Sequence, residues 1–133
     1  MARKPLIGMN CDYRGANQGT PAFAYLASGY FDSIVHAGGI PVVIPPTSDL
    51  NSIGSILDTL DGFVLVGGAD LDPRRDGYML HSSVRPMEAR REEFDRHLAF
   101  EISNRKMSLL AIGVGMQLIN IVEGGNLFYH IPI

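Results

Sequence analysis

Short runs of Val, Ile and Leu recur along the chain, each followed by turn residues and then by a segment with apolar positions at helical spacing. Four runs predict strands: residues 5–9 (PLIGM), 40–44 (IPVVI), 62–66 (GFVLV) and 107–112 (MSLLAI). They are apolar without alternation, the pattern of strands covered on both faces. Residues 21–37 predict a first helix, with Phe23, Leu26, Tyr30, Ile34 and Ala37 three or four apart and Gly38-Gly39 as its stop. Residues 49–60 predict a second, N-capped by Asp49, with Ile53, Ile56, Leu57 and Leu60 inward. Residues 87–104 predict a third, striped by Phe94, Leu98 and Ile102, with Glu92–Arg96 and Glu101–Arg105 as i,i+4 pairs on its wet face. A fourth runs over 115–123 and ends at Gly124-Gly125, and residues 126–131 predict a short fifth strand. Strand alternating with helix gives an α/β fold: a parallel sheet with helices on both faces. The connection from Asp70 to Met87 is long and charged, which marks it as functional or mobile.

Composition narrows the class. At 133 residues, 46% apolar and 19% charged, the chain has material for one core and reads as a single domain over 1–133. Its 15 Gly and 8 Pro follow no repeat, which excludes collagen-like and low-complexity readings. A net charge of −3 gives no footprint for nucleic acid. No run approaches the ~18 apolar residues of a membrane span. MARKPLIGMN lacks the apolar segment of a secretory signal, and the single cysteine, Cys11, excludes an intrachain disulfide. A soluble, cytoplasmic protein is expected.

The most informative segment is LLAIGVGMQLINIVEGG, 109–125, where an apolar strand runs into a Gly-x-Gly turn and an apolar helix. In open α/β sheets ligands sit at the carboxyl ends of strands, where a helix N-terminus offers free N–H groups. A dinucleotide fingerprint at Gly113-Val114-Gly115-Met116-Gln117-Leu118 is the weaker reading, since it lacks the third glycine and the acidic residue ~20 positions on. The other is a nucleophile elbow, a strained turn that presents Ser or Cys beside backbone donors.

Motifs along the entire chain favour the elbow. Lys4-Pro5-Leu6-Ile7-Gly8, Ala37-Gly38-Gly39-Ile40-Pro41, Gly67-Gly68-Ala69-Asp70-Leu71-Asp72-Pro73, Arg91-Glu92-Glu93-Phe94-Asp95 and Ala111-Ile112-Gly113-Val114-Gly115-Met116-Gln117, with Asn120 and Gly124-Gly125 after it, occur in that order. In this the sequence resembles the class I glutamine amidotransferases, and within them the γ-glutamyl-γ-aminobutyrate hydrolases. The resemblance implies a three-layer flavodoxin-like parallel sheet, corresponding to the N-terminal half of the amidotransferase fold. It also implies an oxyanion hole of backbone N–H groups around Gly67 and Gly68 and at Val114, with Gln117 where the family's glutamine helps hold substrate. Two departures follow. The family's nucleophilic cysteine falls on Gly113, so no catalytic residue is assigned, and its general-base histidine and orienting glutamate lie in the half of the fold beyond this elbow. The resemblance therefore implies a degenerate, catalytically inactive amidotransferase-like domain with a binding, assembly or regulatory role. A fragment of an active γ-glutamyl amide hydrolase is the alternative, and a nucleotide-binding module the third reading.

The remaining chemistry-bearing residues have ordinary readings. Cys11 is an idle thiol. Asp70 and Asp72 read as turn-forming carboxylates. His36, His81, His97 and His130 lack metal-ligand spacing and read as surface or helix-end residues; no metal and no cofactor is expected. Arg85, Arg90, Arg91 and Arg96, interleaved with Glu88, Glu92, Glu93 and Asp95, read as a solvated helix face. Asp70 and Arg91, the latter by its family position, are the candidates for a substrate-side role. The partners expected are a small γ-glutamyl or carboxylate ligand and a second protein chain, of the same kind or another, covering apolar surface or a strand edge at 126–133. Neither nucleic acid nor a membrane is expected.

Overall fold

The computed structural model describes residues 3–131. Four strands form one parallel sheet: β1 (Leu6–Met9), β4 (Ile40–Val43), β5 (Gly62–Leu65) and β6 (Leu109–Ala111), in the order β4-β1-β5-β6. A separate antiparallel pair joins β2 (Asp12–Arg14) to β3 (Phe23–Tyr25). The helices are α1 (Ser28–His36), α2 (Ile53–Asp58), α3 (Ala89–Arg105) and α4 (Val114–Val122). In sheet-strand numbering the order is 2-1-3-4, the start of the flavodoxin-like arrangement. The α/β fold expected from the chain pattern is the one observed.

The two faces of the sheet are filled unequally. On one, Phe63 and Leu65 of β5 pack with Ile53 and Leu57 of α2, Phe94, Leu98 and Ile102 of α3, and Val114 and Leu118 of α4. On the other, Met9, Val64 and Val66 meet only Tyr30, Phe31 and Ile34 of α1 and nearby residues. Beside α1, a trough of about 450 Å³ lined by Tyr30, Ile34, Val64, Leu110 and Ile112 is left open. Cover on both faces therefore holds for β5, all four residues of which are buried, but not for the outer strands: Leu110 of β6 is 60% exposed.

Three expectations are corrected. The first helix does not start at residue 21: Phe23–Tyr25 pairs with Asp12–Arg14, and the helix begins at Ser28. Aromatic residues favour the pleated pair, and the Arg14 guanidinium lies 4.2 Å from the Phe23 ring centre, so Phe23 sits outside the core. The second helix is split, because Asp49 caps a 3-10 turn, Leu50–Ser52, through the Asn51 N–H before α2 begins. Residues 126–131 form no strand. Instead Asn120 Nδ2 donates to the Asn126 carbonyl at 2.8 Å, and Tyr78 and Tyr129 pack with ring centres 5.6 Å apart. The edge strands of the sheet are β4 and β6; residues 132 and 133 lie outside the described residues.

Candidate functional site

The carboxyl ends of β1, β5 and β6 lie side by side, with Met9 in register with Val64 and Leu65 with Ala111. The chain leaving β6 is tied to β5 by the Ile112 N–H, which donates to the Leu65 carbonyl at 2.9 Å, and then turns at Gly113 into α4. Gly113 has φ 55° and ψ −119°, a conformation that side chains with a Cβ rarely adopt. The turn is a strand-to-helix elbow. A Cβ built on Gly113 would sit 3.6 Å from the Gly67 Cα, an ordinary contact, so conformation rather than space is what favours glycine there. Gly115 is different: its Cβ would come 2.5 Å from the Leu65 carbonyl oxygen, so glycine lets α4 press onto β5.

The Gly67-Gly68 loop lies against the elbow. The Gly67 N–H donates to the Tyr30 hydroxyl at 3.1 Å, and the Gly67 carbonyl accepts from Arg91 Nη2 at 2.9 Å. The N–H groups of Gly68 and Val114 have no hydrogen-bond acceptor among the described residues. Gly113, Gly67, Gly68, Val114 and Gln117 are thus brought to one end of the sheet. Gln117 stands one helical turn above Gly113 and donates its N–H to the Gly113 carbonyl at 3.2 Å.

Arg91 is not on a solvated face. It is fully buried, together with Glu92 and Asp95, and this part of the helix-face expectation is overturned. A buried cation must be paired. Arg91 Nε donates to Asp95 Oδ2 at 3.0 Å and Nη1 to Asp12 Oδ1. Asp95 Oδ2 also accepts from Asn10 Nδ2 at 2.9 Å, and Asn10 Oδ1 accepts the Val66 N–H at 2.8 Å. Burial pushes the Asp95 carboxyl up to about 6, against the pull of Arg91 and Asn10, and its Oδ1 has no partner among the described residues. Glu92 is likewise interior: it accepts the Asp72 N–H at 2.9 Å and pairs with Arg96 at 2.9 Å, so that i,i+4 pair forms away from water. Arg85, Arg90, Glu88 and Glu93 remain exposed. Asn10, Asp12, Tyr30 and Asp95 had no part in the sequence reading of the site. The one available signal was a polar Asn directly after an apolar strand.

Asp70 and Asp72 close their own loop. Asp70 Oδ2 accepts the Arg85 N–H at 2.8 Å, while Asp72 caps a 3-10 turn, Pro73–Asp76, and pairs with Arg74 at 2.8 Å. Cys11 is buried, its thiol pushed up to about 11 by burial first and by Asp95 second. His36 ends α1, His97 lies near the Glu93 carbonyl on α3, and the His81 and His130 rings stack 4.4 Å apart. Among the described residues no three metal-ligating side chains cluster, and no helix is long and apolar enough to cross a membrane.

A parallel sheet of this order, ending in a glycine turn beside a Gly-Gly loop, fits a class I glutamine amidotransferase-like domain, and the matching family profile and relatives place the chain in that group. Within that group the chain belongs to the Peptidase C26 family, whose profile matches residues 5–133. A candidate glutamine amidotransferase of Mycobacterium tuberculosis is 34% identical over 135 residues, covering 98% of this chain and 44% of its own length. A glutamine amidotransferase-like protein of Rickettsia prowazekii is 31% identical over 138 residues, covering 99% of this chain and 48% of its own. The protein NtpR of Enterococcus hirae is 29% identical over 104 residues. The chain thus spans about half the length of the curated relatives it matches.

Proposed function

We propose that this chain binds a small γ-glutamyl or carboxylate ligand at its elbow without hydrolysing it. It would serve as a degenerate amidotransferase-like domain with a binding, assembly or regulatory role in the cytoplasm. The observation that carries the reading is Gly113. The strained turn is present at φ 55°, but its apex has no side chain. Acyl transfer at such an elbow needs a thiolate or alkoxide at the apex and a base beside it. Neither Gly113 nor its bonded neighbours supplies one, and Cys11 is buried with its thiol held protonated. What remains is recognition. A carbonyl or carboxylate oxygen can accept from the Gly68 and Val114 N–H groups at the positive end of α4, with Gln117 alongside.

The test is release of glutamate from glutamine and γ-glutamyl amides by the purified chain. The reading expects no release above the buffer blank. Release that disappears on mutating a residue at the elbow would overturn it. A second reading is favoured by length, since the relatives run to about twice this chain. On that reading the chain is one part of a working γ-glutamyl amide hydrolase. The complete reading frame decides: a downstream His-x-Glu revives this reading only if the position of Gly113 carries Cys in the natural gene.

A further inference from the structure

We infer that Arg91 is a positioning residue for the ligand: its guanidinium, locked behind the Gly67-Gly68 loop, aims the Gly68 N–H at the elbow. The inference rests on the reading of the elbow as a ligand site.

The backbone leaving β5 is accounted for group by group. The Val66 N–H is held by Asn10, the Val66 carbonyl faces Arg91 Nη2 at 3.5 Å, the Gly67 N–H is held by Tyr30, and the Gly67 carbonyl by Arg91 Nη2. The next polar group is the Gly68 N–H, on the same planar peptide as the Gly67 carbonyl. In a trans peptide the two point in opposite directions. Holding the carbonyl against Arg91 therefore turns the N–H away from it, and that N–H finds no acceptor among the described residues. Gly68 and Arg91 fit reciprocally, since a Cβ on Gly68 would overlap Arg91 Nη1. The held peptide follows directly on Gly67, whose Cα is the nearest neighbour of the apex.

The clamp depends on the fork of Arg91. One guanidinium serves Asp95, Asp12 and two carbonyls, spanning α3, the start of β2 and the loop after β5. A lysine ammonium carries the charge but has three donors on one atom and cannot reproduce that spread.

The experiment follows backbone amides in 15N–1H spectra of the full chain titrated with L-glutamate. In the parent, the Gly68 and Val114 amides should move together along one saturation curve. Arg91→Lys should weaken glutamate about tenfold and remove the Gly68 response, while Val114 still moves at saturation. Should Arg91→Lys fail to fold, Asp12→Asn replaces it. Asp12 lies at the half-open rim, with 37% of its side chain exposed, and loosening it should weaken binding about threefold, with Gly68 losing more of its shift than Val114. A purely structural Arg91 would not separate the two amides. A folded variant with the parent's affinity and Gly68 shift overturns the inference, as does a parent in which Val114 moves without Gly68; either leaves the elbow reading standing. If neither amide of the parent moves, the elbow reading fails and the inference with it.

Discussion

Placing a cysteine at Gly113 separates the conformation of the elbow from its chemistry. The Cβ would lie 3.6 Å from the Gly67 Cα, so no clash contributes to its cost. What remains is the backbone at φ 55° and ψ −119°, which costs a residue with a Cβ about 1–2 kcal/mol. For a chain of this size that lowers Tm by roughly 4–8 °C. The new thiol would stand at the N-terminus of α4, where the helix dipole favours the thiolate. Cys11 is the internal reference, almost fully buried and with a thiol pushed up to about 11. At pH 8 its thiolate fraction is about one in a thousand, so the new thiol should react with iodoacetamide about 100-fold faster or more. Peptide mapping after timed alkylation reads both sites in one sample. Steady hydrolysis of glutamine should still be absent, because no imidazole bonds to the elbow among the described residues. A variant as stable as the parent, with a thiol no faster than Cys11, would refute the elbow at 113.

Other substitutions test neighbouring parts of the account. Gly115→Ala should cost about 3 kcal/mol or more, because its Cβ meets the Leu65 carbonyl oxygen at 2.5 Å; urea unfolding checks this, and a loss under 1 kcal/mol would contradict the packing of α4 on β5. Asp95, pushed up to about 6, binds a proton in the folded chain that the unfolded chain releases near pH 4. Its contribution to stability is thus complete below pH 4 and lost as pH rises through 6. Relative to Asp95→Asn, the parent should therefore gain about 2 kcal/mol between pH 7 and pH 4, measured by urea unfolding at both. Parallel profiles would contradict this burial. The open β6 edge with Leu110 60% exposed should draw a second copy of the chain; light scattering at high concentration should show a dimer or larger, and Leu110→Glu should return it to monomer.

Much of the sheet was legible because its parallel strands are written as uninterrupted apolar runs, even where β4 and β6 are half exposed, and β1, β4, β5 and β6 each fall within one. The elbow was legible from glycine spacing next to such a run. Helix α1 was misjudged at its start because Phe23 and Leu26 stand at helical spacing from Tyr30, while the partner that claims Phe23–Tyr25 lies at Asp12–Arg14. Of the candidate site, only the motif positions were legible. Backbone donors follow from motif positions, whereas the support behind them joins Asn10 and Asp12 to residues 91 and 95 through space. Locally, Arg91, Glu92 and Asp95 have the alternating charge of a wet helix face. Only the fold shows which charges are enclosed.

The most direct test of the central claim is one proton NMR sample of glutamine with an equal amount of the chain, read by saturation transfer and then followed for a day. The account predicts saturation transfer to the glutamine side-chain protons, weaker in Arg91→Lys, and no glutamate signal above that of a chain-free control. Glutamate accumulating in the parent sample, or no saturation transfer at all, would contradict it.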